Sequence, residues 1–401
     1  MPIHLERPVT ILRDAGSPLW FPFLARTPQG GLQLSLQHGW DSHFAPQYQY
    51  RSADGGRSWQ GPTQSVPRLA WGHSFADGER LDLDTYGVPV AGRPGEALLL
   101  AVWSRPDQPN APVERGFARC QVPGLGELPL TGLGGYPSFP WRNLWQEAGR
   151  TEEFRRDEFV TLGPCVTGGM ELPDGRLAVV GYWQKHGAPP NHWGAVVMIS
   201  TDRGRHWQQV GTLSPNLGDP QPSEVAMTRL ADGRWYVVAR MEHPPCPNLH
   251  HAWSEDQGRT WTPLRPLCLA AGGPAAGHVW PGLRVLANGW LALTCGRPGK
   301  QLYFDPSGTG TQWQHHVDLH AWELDTQAVL GVSPELRLRG VVGRPYGQPI
   351  DRQTDSGDYL DCVEVAPGEL LVVYDVQGYV EHWNAAPVVS AVRMVSIKVT
   401  P

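Results

Sequence analysis

The chain has 401 residues, a formal net charge of -6 and 40% hydrophobic residues. It carries no basic run or stripe able to neutralise a phosphate backbone, so no nucleic-acid partner is expected. No stretch of about 18 apolar residues occurs, and the opening MPIHLERPVTILRD lacks the charged and apolar regions of a secretory signal, so a cytoplasmic chain without a membrane partner is expected.

Composition also points to a fold class. With 47 Gly, 39 Pro and 18 Trp, the chain reads as many short strands joined by tight turns, with large aromatics between sheets, and an all-β protein is expected. Taken in order, Val9 to Leu12 alternates as a strand, and LWFPFLARTPQGGLQLSLQHG is two extended runs about a turn at Thr27 to Gly30. A Ser-x-Asp-x-Gly-x-x-Trp pattern follows at Ser52, Asp54, Gly56 and Trp59. It returns at Ser200, Asp202, Gly204 and Trp207, and again at Ser254, Asp256, Gly258 and Trp261. A degenerate fourth ends in Gly310 and Trp313, with Pro306 and Gly308 where Ser and Asp would stand. The chemistry of this pattern is structural: Ser and Asp oxygens accept from turn amides, Gly permits positive φ, and Trp packs beneath the loop.

A second repeat is the turn glycine between two apolar strands, at 30, 95, 175, 233, 289 and 368, with separations of 65, 80, 58, 56 and 79 residues. That spacing suits a four-stranded antiparallel sheet plus loops, and six such sheets set radially make a six-bladed β-propeller. Residues 1–401 are expected to form this one domain, with the last blade closed by strands from both ends, Val9 to Leu12 and Val388 to Val399, so that no edge is left open. Val122 to Pro140 reads as a long loop, and Gln146 to Asp157 as a short charged helix or excursion. The six cysteines, at 120, 165, 246, 268, 295 and 362, stand singly and read as buried free thiols. Several of the 15 histidines, among them His38, His43, His73, His186, His192 and His278, fall near loops. Their spacings match no ligand pattern, and neither metal nor cofactor is expected.

In a propeller the innermost strand of each blade starts at a shared cavity. Counting nine residues back from each turn glycine gives Phe21 beside Trp20, then Tyr86, Val166, Glu224, Trp280 and Tyr359. An antiparallel hairpin turning at Asp232-Gly233 also brings Glu224 toward Arg240.

These residues carry a family likeness. The Ser-Asp-Gly-Trp loops resemble the Asp-boxes of sialidases and related neuraminidase-repeat proteins, which are six-bladed propellers. PSEVAMTRLADGRWYVVAR resembles the segment bearing that family's catalytic glutamate and an arginine one hairpin later, matched by Glu224 and Arg240. GDYLDCVEVAPGELLVVYD resembles the segment of the tyrosine nucleophile, matched by Tyr359. Asp41, in HGWDSHF, is the acidic residue where the family has its general acid, and Arg297, in CGRPGKQLYF, loosely matches a later arginine. The family's first-strand arginine, two residues before a proline, is replaced by Trp20. An indole offers a flat face to a sugar ring but cannot make the bidentate carboxylate contact of a guanidinium.

The resemblance implies a retaining exo-glycosidase. Tyr359 would attack the anomeric carbon with Glu224 as its base, while Asp41 would protonate the leaving oxygen and later activate water. Arg240, Arg297, Trp20, Tyr86, His278 and Trp280 would bind a carbohydrate other than an ordinary sialoside. Taken singly, each residue also has a plain reading: a packed Tyr, a Glu–Arg pair, a turn-capping Asp. Two further readings stay open, a non-catalytic carbohydrate-binding propeller with Trp20, Tyr86 and Trp280 as stacking platforms, and a polysaccharide lyase with a His or Tyr base.

Overall fold

The computed structural model describes residues 3–6, 8–14, 19–26, 30–38, 47–66, 73–74, 80–89, 96–104, 114–121, 160–185, 192–201, 208–213, 220–243, 248–297, 299–319, 359–377 and 390–399. Within 63–168 it describes strand backbone only, as it does at scattered strand positions elsewhere, Trp20 among them. The expected loop at 122–140, the excursion at 146–157, the Gly95 turn, Cys246 and the Asp202 to Trp207 part of the second Ser-Asp-Gly-Trp loop lie outside the described residues.

The described residues are almost entirely strand. In chain order, β1 (Ile3–Leu5) and β2 (Val9–Asp14) precede a sheet of β3 (Leu19–Arg26), β4 (Leu32–His38), β5 (Gln47–Ser52) and β6 (Gln60–Val66). A second sheet holds β7 (His73–Ser74), β8 (Arg80–Pro89), β9 (Glu96–Ser104) and β10 (Glu114–Gln121). The third is β11 (Val160–Glu171), β12 (Leu177–Lys185), β13 (His192–Ser200) and β14 (Gln208–Leu213). The fourth is β15 (Gln221–Arg229), β16 (Trp235–His243), β17 (His250–Ser254) and β18 (Arg265–Pro266). The fifth is β19 (Val279–Val285), β20 (Leu291–Gly296), β21 (Lys300–Asp305) and β22 (Gln314–Asp318). In the sixth, β23 (Leu360–Ala366), β24 (Glu369–Gln377) and β25 (Ser390–Val399) are joined by β1 and β2, which both pair antiparallel with β25.

The chain divides into two compact units, one of residues 1–67, 246–249 and 266–401, the other of 68–245 and 250–265. In the first, the sixth sheet buries both faces. Along β24, Leu370, Val372 and Tyr374 pack with Ala292, Leu302 and Phe304 of the fifth sheet, while the alternate Leu371 and Val373 pack with Leu24, Leu34 and Leu36 of the first. Period-two alternation with apolar residues at both phases is what a sheet covered on two sides requires. In the second unit, Val180, Val197 and Ile199 of the third sheet meet Val225, Val237 and the indole of Trp235 from the fourth.

One turn chemistry recurs. Leu172, Leu230 and Leu286 each donate their N–H to the carbonyl four residues on, and each accepts from Gly175, Gly233 or Gly289, whose φ lies between 82° and 93°. Asp174, Asp232 and Asn288 secure the turns by accepting from the amide two residues later, as Asx side chains do.

The Ser-Asp-Gly-Trp loops are equally regular. Ser52 Oγ accepts from Gly56 N at 2.7 Å, Asp54 from Ser58 N at 2.9 Å, and Trp59 Nε1 donates to Gly56 O at 3.0 Å. Ser254, Asp256, Gly258, Thr260 and Trp261 reproduce the set at 2.8, 2.8 and 3.0 Å. The degenerate loop is repaired from one residue upstream: the buried Asp305 carboxylate accepts from Ser307 N, Gly310 N and Thr311 N. Cys295 and Cys362 are buried free thiols, whereas Cys268 is free and exposed, contrary to the expectation of burial, because it sits on an irregular bridge segment beside Pro274.

Candidate active site

Five of the sheets break register well ahead of a hairpin turn, and the sixth breaks it beside its turn, between Glu364 and Ala366. The ladder slips between Trp20 and Phe23, Leu83 and Gly87, Pro164 and Gly169, Pro222 and Val225, and Val279 and Gly282. The positions nine residues before the turn glycines, Phe21, Tyr86, Val166, Glu224 and Trp280, fall inside these slips. A bulge unpairs residues from the ladder and re-aims their side chains; in the first, fourth and fifth sheets Phe21, Glu224 and Trp280 are among the residues so released.

In the first unit these residues gather on Tyr359, which is 4% exposed. The Phe21 ring lies 4.0 Å from that of Tyr359, Trp280 lies 5.4 Å away edge-on, and Phe21 and Trp280 are 5.2 Å apart. Arg297 Nη2 donates to Tyr359 Oη at 3.3 Å, with the guanidinium carbon 5.4 Å from the ring centre. Phe21, Trp280 and Arg297 all have φ near +50°. A bulky residue there is strained, at about 1–2 kcal/mol each, and three such residues meet at one phenol. The Tyr359 backbone is fixed by Asp375, whose buried carboxylate accepts from Tyr359 N at 3.0 Å. His278 is buried with Nδ1 on the Arg297 carbonyl oxygen.

In the second unit the Pro222–Val225 bulge presents Ser223 and Glu224. Arg240 Nη1 pairs with Glu224 at 3.1 Å and its Nε with Glu242 at 2.8 Å, while Ser223 Oγ donates to Glu242 at 2.8 Å. All three charged side chains keep 13–20% of their surface exposed. Glu242 was not anticipated, although the alternation Arg240-Met241-Glu242 on β16 puts both polar side chains on one face.

Asp41 lies outside the described residues, and Trp20 and Tyr86 are described only as strand positions on β3 and β8. Among the other histidines, His38 ends β4 with Nε2 3.1 Å from Tyr50 Oη and Nδ1 3.7 Å from Asp14. Burial lowers the His38 pKa against the opposing pull of Asp14, and burial with the nearby Tyr48 and Asp14 pushes Tyr50 up to about 12. Among the described residues no group of three or more His, Cys, Asp or Glu is placed to hold a metal ion.

Antiparallel sheets, five of four strands and one of five, with one recurring turn and one recurring loop define an all-β protein of the β-propeller fold. In fold the chain is sialidase-like, and residues 145–320 match the BNR repeat-like domain. A protein of unknown function from Dyadobacter fermentans is similar over 99% of both chains, with 14% identity and a TM-score of 0.62. A Hadza microbial sialidase is similar over 94% of this chain and 65% of its own, with 16% identity and a TM-score of 0.50. The Trypanosoma rangeli sialidase, solved as a covalent intermediate with 2,3-difluorosialic acid, gives 94% and 53%, 11% identity and a TM-score of 0.52. The chain thus spans about two thirds and about half of these two sialidases, and at such identities the likeness is one of fold. Curated proteins include no match to the sequence.

Proposed function

We propose that the chain is a retaining glycoside hydrolase in which Tyr359 is the nucleophile. The observation that carries this reading is the Arg297 N–H donated to the Tyr359 oxygen, held by a residue in a strained conformation. A guanidinium there stabilises negative charge developing on the phenol oxygen as it attacks. In the first step the phenol oxygen bonds to the anomeric carbon while the leaving oxygen takes a proton from Asp41. In the second, water, losing its proton to Asp41, cleaves the glycosyl-tyrosine bond and returns the phenol. Glu224, assigned by resemblance, accepts and returns the phenol proton, and Arg240 orients its carboxylate. The substrate is a glycoside other than an ordinary sialoside: aromatic rings, Phe21 and Trp280, flank Tyr359, and Trp20 stands where the family's first arginine would be.

The test is a panel of aryl glycosides, sialosides included, with 2-fluoro glycosyl fluorides as traps. Tyr359→Phe should lower kcat by about 10³-fold or more, and the trap should add its glycosyl mass to the peptide containing Tyr359. Sugar binding that survives Tyr359→Phe, with turnover by neither protein, would replace the hydrolase with the carbohydrate-binding propeller.

A further inference from the structure

Arg297 reaches the Tyr359 oxygen from a turn that does not hold its shape through its own backbone alone. Arg297 adopts φ of 52°, and its N–H closes a tight loop onto Gly299 O at 3.1 Å. On one side the turn rests on His278, whose N–H donates to Gly296 O at 2.8 Å and whose ring nitrogen meets the Arg297 carbonyl. On the other side stands Asp318, at the end of the edge strand β22. Its carboxylate accepts from Lys300 N at 3.3 Å and from Gln301 Nε2 at 2.9 Å, and Gln301 is in turn held by His315 at 2.8 Å. Gly299, with φ of 64°, lies so close against this carboxylate that a Cβ would overlap its oxygens. Lys300 and Gln301 are both buried, so the contact has little room to relax.

We propose that Asp318 is a positioning residue for Arg297: by seating Gly299 and Lys300 it sets where the guanidinium meets the Tyr359 oxygen. Asp318 acts through the turn, by its contacts with Gly299, Lys300 and Gln301. A carboxylate suits the task because its two oxygens accept from two donors, Lys300 N and Gln301 Nε2, at different angles. The catalytic consequence rests on Tyr359 being the nucleophile; the contact between Arg297 and Tyr359 does not.

The experiment uses the full chain labelled with tyrosine carrying ¹³C at Cζ, whose resonance reports hydrogen bonding to the phenol oxygen without any substrate. Tyr359→Phe assigns the line. Arg297→Met should displace it, and Asp318→Ala should displace it in the same direction by at least half as much. Asp318→Asn, which keeps one acceptor oxygen, should displace it less than Asp318→Ala does. If Asp318→Ala does not fold, Gly299→Ala pushes on the same carboxylate from the other side and should move the line. A purely structural Asp318 would lower the Tm and leave the Tyr359 line where it is, and that result overturns the proposal, as does an unmoved line in Arg297→Met. The two proposals separate cleanly. A displaced line in a chain that turns over no glycoside sinks the hydrolase alone, while turnover with an unmoved line sinks the positioning role alone.

Discussion

The most exacting test of the fold is at Asp361, a carboxylate with no exposed surface on β23. It accepts from Leu24 N of β3 at 3.0 Å, from Arg284 Nη2 of β19 at 3.0 Å and from Cys362 N at 2.8 Å, so one side chain ties together three sheets. Asp361→Ala leaves two buried amides without this acceptor and Arg284 without its anion. Removing one partner of a buried pair costs about 3–5 kcal/mol, which at about 1 °C per kcal/mol for a chain of this length lowers the Tm by about 5 °C. Asp361→Asn keeps one acceptor but turns an amide donor toward Leu24 N–H or Arg284, and should cost about 2 kcal/mol. Burial raises the Asp361 pKa, against the opposing pull of Arg284 and the two amides. The folded protein therefore holds that proton more tightly than the unfolded chain does. The linked stability is complete below the ordinary carboxylate value near 4 and is lost as pH rises through the raised one. The penalty for Asp361→Asn should accordingly be largest at the acid end and shrink as pH rises, measured by urea unfolding followed through tryptophan fluorescence. A penalty that grows with pH, or an Asp361→Ala protein within about 1 kcal/mol of wild type, would refute the reasoning.

Two further outcomes follow from the loops. Gly258 and Gly175 have nearly equal φ, 84° and 82°, but a Cβ at Gly258 would come within 2.8 Å of Trp235 and 2.9 Å of Val197, while one at Gly175 meets open space. Gly175→Ala should cost about 1 kcal/mol and Gly258→Ala about 1–3 kcal/mol more; calorimetry that finds them equal would show that the core yields freely there. For Asp256, burial pushes the pKa up, yet hydrogen bonds from Thr260, Ser254 and a backbone amide outweigh it and hold the carboxyl below its ordinary value. Its contribution is present above the unfolded carboxylate pKa and is lost as pH falls through the depressed folded one. Asp256→Ala should cost about 1 kcal/mol at neutral pH and progressively less in acid, with thermal unfolding across pH as the measure.

Much of this was legible because it is local. The turns at Leu172, Leu230 and Leu286 and the loops at Ser52 and Ser254 are closed by atoms within a few residues of one another, so their chemistry is written in consecutive letters. Counting back from the glycines reached the bulges because strands of similar length separate the two features. What escaped depends on distant partners. Asp361 sits in DCVEV with nothing nearby to mark it as the anchor of Leu24 and Arg284, which are 337 and 77 residues away. The fourth loop looked broken because Ser and Asp are missing from their places, yet a carboxylate at Asp305 can reach the same amides from a neighbouring Cα. The contact of His278 Nδ1 with the Arg297 carbonyl, 19 residues away, likewise has no local mark in the sequence.

The pairing of β1 and β2 with β25 bears on how the protein is made. Ile3 is matched to Val399 and Val9 to Met394, so the sixth sheet is completed by residues far apart in the sequence. The early strands leave the ribosome long before their partner and must wait unpaired, and contacts of such long sequence separation form slowly. Completion of that sheet awaits the synthesis of β25, and the interval before it is when the nascent chain is open to chaperones and to pairing with a second copy of itself.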